Sequence, residues 1–459
     1  MRVKIHEENS GSGHRNDVSG RHSHTVSFET YGCSANHADT RLMEHYAESS
    51  GLQLVNSEEE SDIIVLNTCT VKGPTQTAIE RRIRELESVG KKVVIAGCLS
   101  QADPKNVLFH DKSLIGPDTL DSLPEAILGT IEGAPVQITT LKKAPLPLVV
   151  REEPPTSPFI LSISQGCLSS CSFCMTKLAR GNLRSHSIRH LRDTARTAVE
   201  RGHQEIYLTS QDTSAYGIDI GVNLADLLSA LIEIPGDFRI RIGMANPQHF
   251  RHFEERLWPL FQSEKLYRFL HIPLQSGSNP VLDHMRREHS AEDYLSLIAK
   301  GRSLFPDLTI ATDIICGYPT ETEADHEATQ QALHSSMPDV VNISRFWPRP
   351  KTRAATLTPL PGPLVKSRSS ETTKLFRRIS RARNRWWLGR NNTVLITEIQ
   401  HSEAPKGTRL IGRNRSYKQV IISGITRAEQ SDISLGDALQ CTVNDYGTFD
   451  LRCDSILPD

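Results

Sequence analysis

From Phe159 to Phe346 the chain repeats one cadence six times: a short apolar, β-branched run followed by a stretch of helical periodicity. The runs FILSIS, EIYLTS, RIRIGM, RFLHIP, LTIATDII and VVNISRF read as strands. Segments such as HSIRHLRDTARTAVERG and SAEDYLSLIAKGRSLF read as the helices between them, the second opening on a Ser290-x-x-Asp293 capping pattern. Strict alternation of strand and helix demands parallel strands joined by crossover helices. Six such units predict a βα barrel, complete or partial, with its chemistry at the carboxyl ends of the strands.

The first of these strands runs directly into Gly166 and then Cys167, Cys171 and Cys174, three of the nine cysteines in 459 residues. Three sulfur ligands are one short of a closed tetrahedral zinc site, and no histidine follows before His186. A [4Fe-4S] cluster normally takes four thiolates. With three, one iron stays open to bind something else, and Gly166 lets the backbone bend around the cluster. The cysteine spacing itself leaves both metals as readings.

Three more cysteines stand apart. TVSFETYGC, DIIVLNTC and KKVVIAGC look like strands of a parallel sheet, with ADTRLMEHYAESSG and PTQTAIERRIRELESVG as the helices between them. Each strand finishes at a cysteine: Cys33, Cys69 and Cys98. In an open α/β sheet the carboxyl ends of neighbouring strands meet at the ligand crevice, so the three thiols are expected to converge there; the alternative is three buried packing thiols.

The rest of the chain divides around these units. Residues 1–24, rich in Ser, Gly and His, read as a disordered tail, 25–135 as the first α/β domain, and the proline-rich 136–156 as a linker. Residues 157–390 form the barrel with a basic helical extension that contains RRISRARNRWWLGR, in which Trp386 and Trp387 pack inward or meet RNA. Residues 391–459, short β-rich runs without helices, predict a small all-β, OB-like module. The net charge is only -1, so any nucleic-acid surface has to be local. No apolar run of about 18 residues occurs and the first residues lack the apolar core of a signal peptide, so a cytoplasmic protein with no membrane partner is expected.

The Cys167-x3-Cys171-x2-Cys174 spacing resembles the radical S-adenosylmethionine (SAM) superfamily. With the three-cysteine domain before it and the β-module after it, the chain resembles the methylthiotransferases. The match runs from about Thr25 to the C-terminus through TYGCSANHAD, NTCTVKGPT, AGCLSQADP, HIPLQSGS and ATDIICGYPTET. CSFCMTKLARGNLRS, LTSQDTSAYG, GMANPQH and NISRFWPRPKT are similar to the archaeal and eukaryotic branch, which modifies N6-threonylcarbamoyladenosine at position 37 of tRNA.

That resemblance implies two [4Fe-4S] clusters, an auxiliary one on Cys33, Cys69 and Cys98 and a radical-generating one on Cys167, Cys171 and Cys174. It places Phe173 beside the SAM adenine, offers Ser210 and Asp212 to its amino group and Arg241 to its carboxylate, and lets Gly317 approach the adenine closely. It makes the last module a TRAM domain, in which Lys406, Arg409, Arg413, Arg415 and Lys418, with Tyr417 between them, suit phosphate contact and base stacking. The implied reaction removes hydrogen from adenine C2 and inserts sulfur and a SAM-derived methyl group there, with no side chain acting as general base. The implied partners are tRNA, an electron donor such as a ferredoxin or flavodoxin, and a sulfur source. Thr320 stands where the family commonly has Gly, and Cys316 where an aliphatic residue is usual. Cys316, Cys441 and Cys453 are expected to be packing thiols. The competing readings are a methylthiotransferase acting on a ribosomal protein and a zinc-stabilised RNA-binding protein without catalysis.

Overall fold

The computed structural model describes residues 24–70, 73–151, 158–400, 408–425 and 433–457. The expected N-terminal tail therefore lies outside the described residues, apart from His24.

The first unit is a six-stranded, all-parallel sheet in the order Gln53–Leu54, Thr25–Thr30, Ile63–Thr68, Lys92–Gly97, Ser113–Ile115, Gln137–Ile138. Its central strand IIVLNT is buried along its whole length, which is why it reads as an unbroken apolar run rather than an alternation. Apolar side chains on both faces make two clusters, one around Val26, Met43 and Val65 and one around Ile64, Ile83 and Ile95. The sixth strand falls inside the stretch expected as a linker. Beyond it Leu146 is buried and Leu148 and Val150 pack on the barrel core, so this stretch is a strap along both domains.

The second unit confirms the six strands at their expected places. Phe159–Ser162, Glu205–Thr209 and Arg239–Arg241 form one parallel sheet, and Phe269–His271, Thr309–Cys316 and Val340–Arg345 another. Parallel bridges between Ile240 and Leu266 and between Met244 and His271 join the two into one open barrel. Ile206, Leu208, Ile310 and Ile314 face the surrounding helices. Tyr207, Arg241, Phe269 and Ala311, one residue out of phase, therefore face the concave side.

The helix Gly362–Arg385 packs Val365, Thr372, Phe376 and Ile379 inward. It leads into a six-stranded sheet ordered Ala438–Thr442, Asn391–Gln400, Thr408–Asn414, Gln419–Ile425, Leu451–Cys453, Asp445–Tyr446, with Val394, Ile396, Leu410, Val420 and Ile422 at its core. Trp387, Cys441 and Cys453 are buried in that core, and Trp386 is half-exposed with Arg390 stacked 3.7 Å above its ring.

Candidate active site

The cysteine loop of the barrel is closed at its base by antiparallel pairing of Ser164–Gln165 with Arg184–Ser185. Gly166 has φ +78°, and a Cβ there would lie 1.9 Å from the Asn182 carbonyl oxygen, so only glycine fits. The Cys167 amide donates to the Gly181 carbonyl at 3.1 Å, and the Cys174 amide to the Cys171 carbonyl at 3.2 Å, turning the loop back on itself. Arg287 Nη1 donates to Cys171 Sγ at 3.4 Å and its Nη2 to Asn246 Oδ1. Burial, with the neighbouring Asp212 and Cys174 adding to it, pushes the Cys167 thiol up to about 12.

The second trio forms at the carboxyl ends of three neighbouring strands of the first sheet. Cys33 caps the helix Ser34–Ser49, Cys69 follows Ile63–Thr68, and Cys98 begins the short helix Cys98–Ala102. Glycine makes the convergence possible: a Cβ on Gly32 would come 3.0 Å from the Cys69 Cβ, and one on Gly97 2.2 Å from Asn67 Oδ1. Asn36 Nδ2 donates to Asn67 Oδ1 at 3.1 Å and to the Thr68 carbonyl at 2.9 Å, tying the loops together beneath the thiols. Burial pushes the Cys98 thiol up to about 12, a rise that Cys69 and Cys33 reinforce and Arg180 opposes.

The two trios belong to one junction. The helix Thr176–Arg180, just past Cys174, packs on Cys98–Ala102, where Met175 and Ala179 meet Cys98 and Ala102. Arg180 crosses this seam: its Nε donates to Cys98 Sγ at 3.2 Å while its Nη2 lies 2.6 Å from Asp39 Oδ2. Arg184 makes a two-pronged pair with Asp118 at 2.7 and 2.8 Å. Two buried Arg–Asp pairs thus fasten the barrel's cysteine loop to the first domain.

The donor sets suit iron–sulfur clusters. A buried thiol with a raised pKa releases its proton to a bound metal, not to neutral water. Among the described residues, no three His, Cys, Asp or Glu side chains converge as a single ion would require; zinc ligated by sulfur needs its ligands about 2.3 Å from one centre. Around the mouth above Cys167, Gln211 Oε1, Gln248 Oε1, Gln275 Oε1 and Arg287 Nε are buried without hydrogen-bond partners among the described residues, and His249 Nε2 has only Asp212 Oδ2 at 3.6 Å. Orphans of this kind call for a polar ligand. Gln275 also holds φ +71°, a costly conformation for a non-glycine residue, fixed by backbone hydrogen bonds to Asp313 and Ile315.

The other expected site residues fare differently. Ser210 and Asp212 do sit at the mouth near Cys167, but Asp212, only 2% exposed, already accepts from Ser214 and Asn246 at 2.6 to 3.1 Å, and Ser210 Oγ accepts from the Asp212 amide at 3.0 Å. Phe173 packs with Val281, Met285, Tyr318 and Ala354. Gly317, at φ +77°, makes room for Val365, whose Cγ2 would be 2.5 Å from a Cβ. Arg241, the last residue of Arg239–Arg241, is set among aromatic rings, its guanidinium 4.8 to 5.3 Å from the rings of Tyr207, Phe269 and Tyr417.

The expected RNA contacts need correction at three positions. Tyr417 enters the barrel from below, its hydroxyl 2.7 Å from that of Tyr207 and its ring against Tyr267 and Phe269. Lys418 is buried on Asp339 at 2.8 Å, and Arg415 donates to the carbonyls of Phe261, Gln262 and Ser263. These residues hold two domains together because a tight turn, not a solvated strand, carries them. Arg409 is exposed and Arg413 partly so, while Lys406 lies outside the described residues. Arg180, Arg184, Arg287, Asn246 and Gln275 were not singled out from the sequence. The density of arginines beside the cysteine motif could have pointed to Arg180 and Arg184; no local signal marks the other three.

Comparison with known proteins agrees with this layout. Residues 25–115 match the Uncharacterized protein family UPF0004, and residues 161–333 the Radical SAM superfamily. A protein of Archaeoglobus fulgidus described as a probable threonylcarbamoyladenosine tRNA methylthiotransferase is 40% identical over 402 residues, 87% of this chain and 93% of that one. The Drosophila melanogaster and Homo sapiens threonylcarbamoyladenosine tRNA methylthiotransferases are 38% and 36% identical, each over 86% of this chain and over 72% and 68% of their own. Among solved structures, the radical S-adenosylmethionine methyltransferase TsrM of Kitasatospora setae shares the fold, with a TM-score of 0.53 at 14% identity over 72% of this chain and 75% of that one.

Proposed function

Because this chain belongs to the threonylcarbamoyladenosine tRNA methylthiotransferases, we propose that it converts N6-threonylcarbamoyladenosine at position 37 of tRNA to its 2-methylthio derivative. The observation that carries this reading is the seam between the two cysteine trios: each stands at the strand ends of its own domain, and Arg180 reaches from one loop to a thiol of the other. A reaction that must both activate a carbon and deliver sulfur to it needs two such centres facing one cleft.

Cys167, Cys171 and Cys174 would hold the radical-generating [4Fe-4S] cluster, and Cys33, Cys69 and Cys98 the auxiliary one. When bound, the clusters and SAM supply the hydrogen-abstracting power, the sulfur and the methyl group that no side chain here provides. The chain's own part is placement. Arg287 and Arg180 set a guanidinium beside one sulfur of each trio, and that of Arg180 opposes the rise that burial gives the Cys98 thiol. Met175, Ala179 and Ala102 keep water out of the seam. The orphaned polar atoms of Gln211, Gln248 and Gln275 would orient SAM. A domain division with the first domain extended to Ile138, the barrel at 157–390 and a TRAM domain at 391–459 fits this scheme, as do Arg409, Arg413 and Lys406 as contacts to RNA. A ferredoxin or flavodoxin as electron donor and a separate sulfur source complete it.

Mass spectrometry of nucleosides from tRNA of a strain lacking this gene is the direct test. The 2-methylthio derivative of threonylcarbamoyladenosine should vanish and its precursor accumulate. Persistence of that derivative, with no second enzyme present, overturns the assignment. Loss of a modification from a ribosomal protein instead would move the enzyme to a protein substrate, and stoichiometric zinc without sulfide would end the enzymatic reading.

A further inference from the structure

Past the last barrel strand, Val340–Arg345, the chain threads the cleft between the two trios. Lys351 Nζ donates to the Ala102 carbonyl at 2.9 Å, four residues beyond Cys98. The Ala354 amide donates to the Ser172 carbonyl at 2.9 Å, between Cys171 and Cys174. Two residues before the first of these anchors lies Arg349, only 4% exposed. Its Nη1 donates to Gln76 Oε1 at 3.0 Å, on the helix Gly73–Ser88 that follows Cys69. Its Nη2 is buried with no partner among the described residues. No carboxylate of the described residues pairs with it; the groups that act on its charge are the thiols of Cys69 and Cys174, one from each trio, against the burial that lowers its pKa.

A buried cation with an unmet donor is costly, and the structure keeps this one where the substrate has to lie. A carbon reached from both trios must enter this cleft. In adenine, C2 and the N6-bearing carbon flank the same ring nitrogen, so a substituent on N6 enters beside C2. The threonylcarbamoyl substituent ends in a carboxylate, the planar oxyanion that a guanidinium fork suits best. We propose that Arg349 binds the carboxylate of the threonylcarbamoyl group, and so is the residue that separates this substrate from adenosines whose N6 substituent is neutral or absent. This rests on the functional reading above and deepens it.

The test uses the anaerobic holoenzyme and three anticodon stem-loops, alike except at position 37: the threonylcarbamoyl free acid, its methyl ester, and unmodified adenosine. Wild-type protein should bind the acid about 10- to 100-fold more tightly than the ester, as loss of one charge-assisted hydrogen bond predicts. Arg349→Gln should bring that ratio close to one, with affinity for the ester and the unmodified loop, iron and sulfide content, and SAM affinity unchanged. Arg349→Lys, which keeps the charge but not the fork, should fall between. An equal ratio in the wild type, or a wild-type ratio retained by Arg349→Gln, overturns the proposal. So does weakened SAM binding with the ratio intact, which would give the guanidinium to the carboxylate of SAM. Should the glutamine variant lose iron, the lysine variant decides, and an undiminished ratio there overturns the proposal. A wild-type enzyme that methylthiolates the free acid without preferring it refutes only this inference; one that does not act on it at all refutes the function.

Discussion

Arg180 shows how a single side chain can belong to two centres. It comes from the barrel's cysteine loop, yet its partners Asp39 and Cys98 are both in the first domain. Asp39→Ala would leave the guanidinium buried and uncompensated, a change that costs about 3–5 kcal/mol. We expect a clear drop in thermal midpoint and loss of iron from the auxiliary site first, followed by iron analysis and calorimetry; pairing it with Arg180→Met should recover much of the stability. Gly166→Ala places a methyl group against the Asn182 carbonyl at a positive φ, so about half the iron should be lost, that of the barrel site, with the first domain's iron retained. The placement of the six cysteines was legible because each trio stands at the ends of strands that the apolar runs mark out. The arginines were not, since Arg180 and Asp39 are 141 residues apart and nothing local couples them. Lys418 and Tyr417 misled for the opposite reason: interleaved charges and rings look alike on a solvated strand and in a turn driven into another domain.

At the scale of elements, the turn from Asn414 to Lys418 meets the barrel beside a knot of charge. Asp339, just before the strand Val340–Arg345, takes Lys418 at 2.8 Å, Arg383 of the long helix at 3.2 Å and Arg302 at 2.9 Å. Burial alone would raise its pKa, but these three cations outweigh it and hold the carboxyl below its usual range. A depressed folded-state pKa gives stability that is present above the unfolded value, near 3.8, and is lost as the pH falls through the folded value. Domain docking should therefore be insensitive to Asp339 from pH 5 to 8, with its contribution eroding only in stronger acid. Asp339→Ala, which strands three cations, should destabilise more than Lys418→Met, which leaves two of them paired; urea titrations at pH 7 rank the two. The sequence carried the six barrel strands, three to eight residues long, because each sits in a β-branched apolar run that alternates with a helical stretch. It could not carry Gln137–Ile138, a strand of two residues that exists only because the neighbouring strand Ser113–Ile115 offers it an edge.

Across the whole molecule, the barrel is closed by different partners at its two ends, the first domain over the carboxyl ends of its strands and the β-module beneath their amino ends. Along the side runs the helix Gly362–Arg385, whose Lys374, Arg377, Arg378, Arg381 and Arg385 are either exposed or nearly so, opposite the buried face of Phe376 and Ile379. In a chain of net charge -1 this is a concentrated basic stripe, and phosphate contact by such a stripe makes affinity fall with salt. Replacing Arg377, Arg378 and Arg381 by Glu should weaken tRNA binding whatever the base at position 37, and flatten the plot of log affinity against log salt by about one unit for each phosphate no longer engaged. An unchanged slope would make the stripe an ordinary solvated face.

Tyr417, wedged among Tyr207, Tyr267 and Phe269, gives the barrel interior a floor. Stopped at that end, the interior exchanges its contents on the side of the Cys167 loop, beneath the first domain.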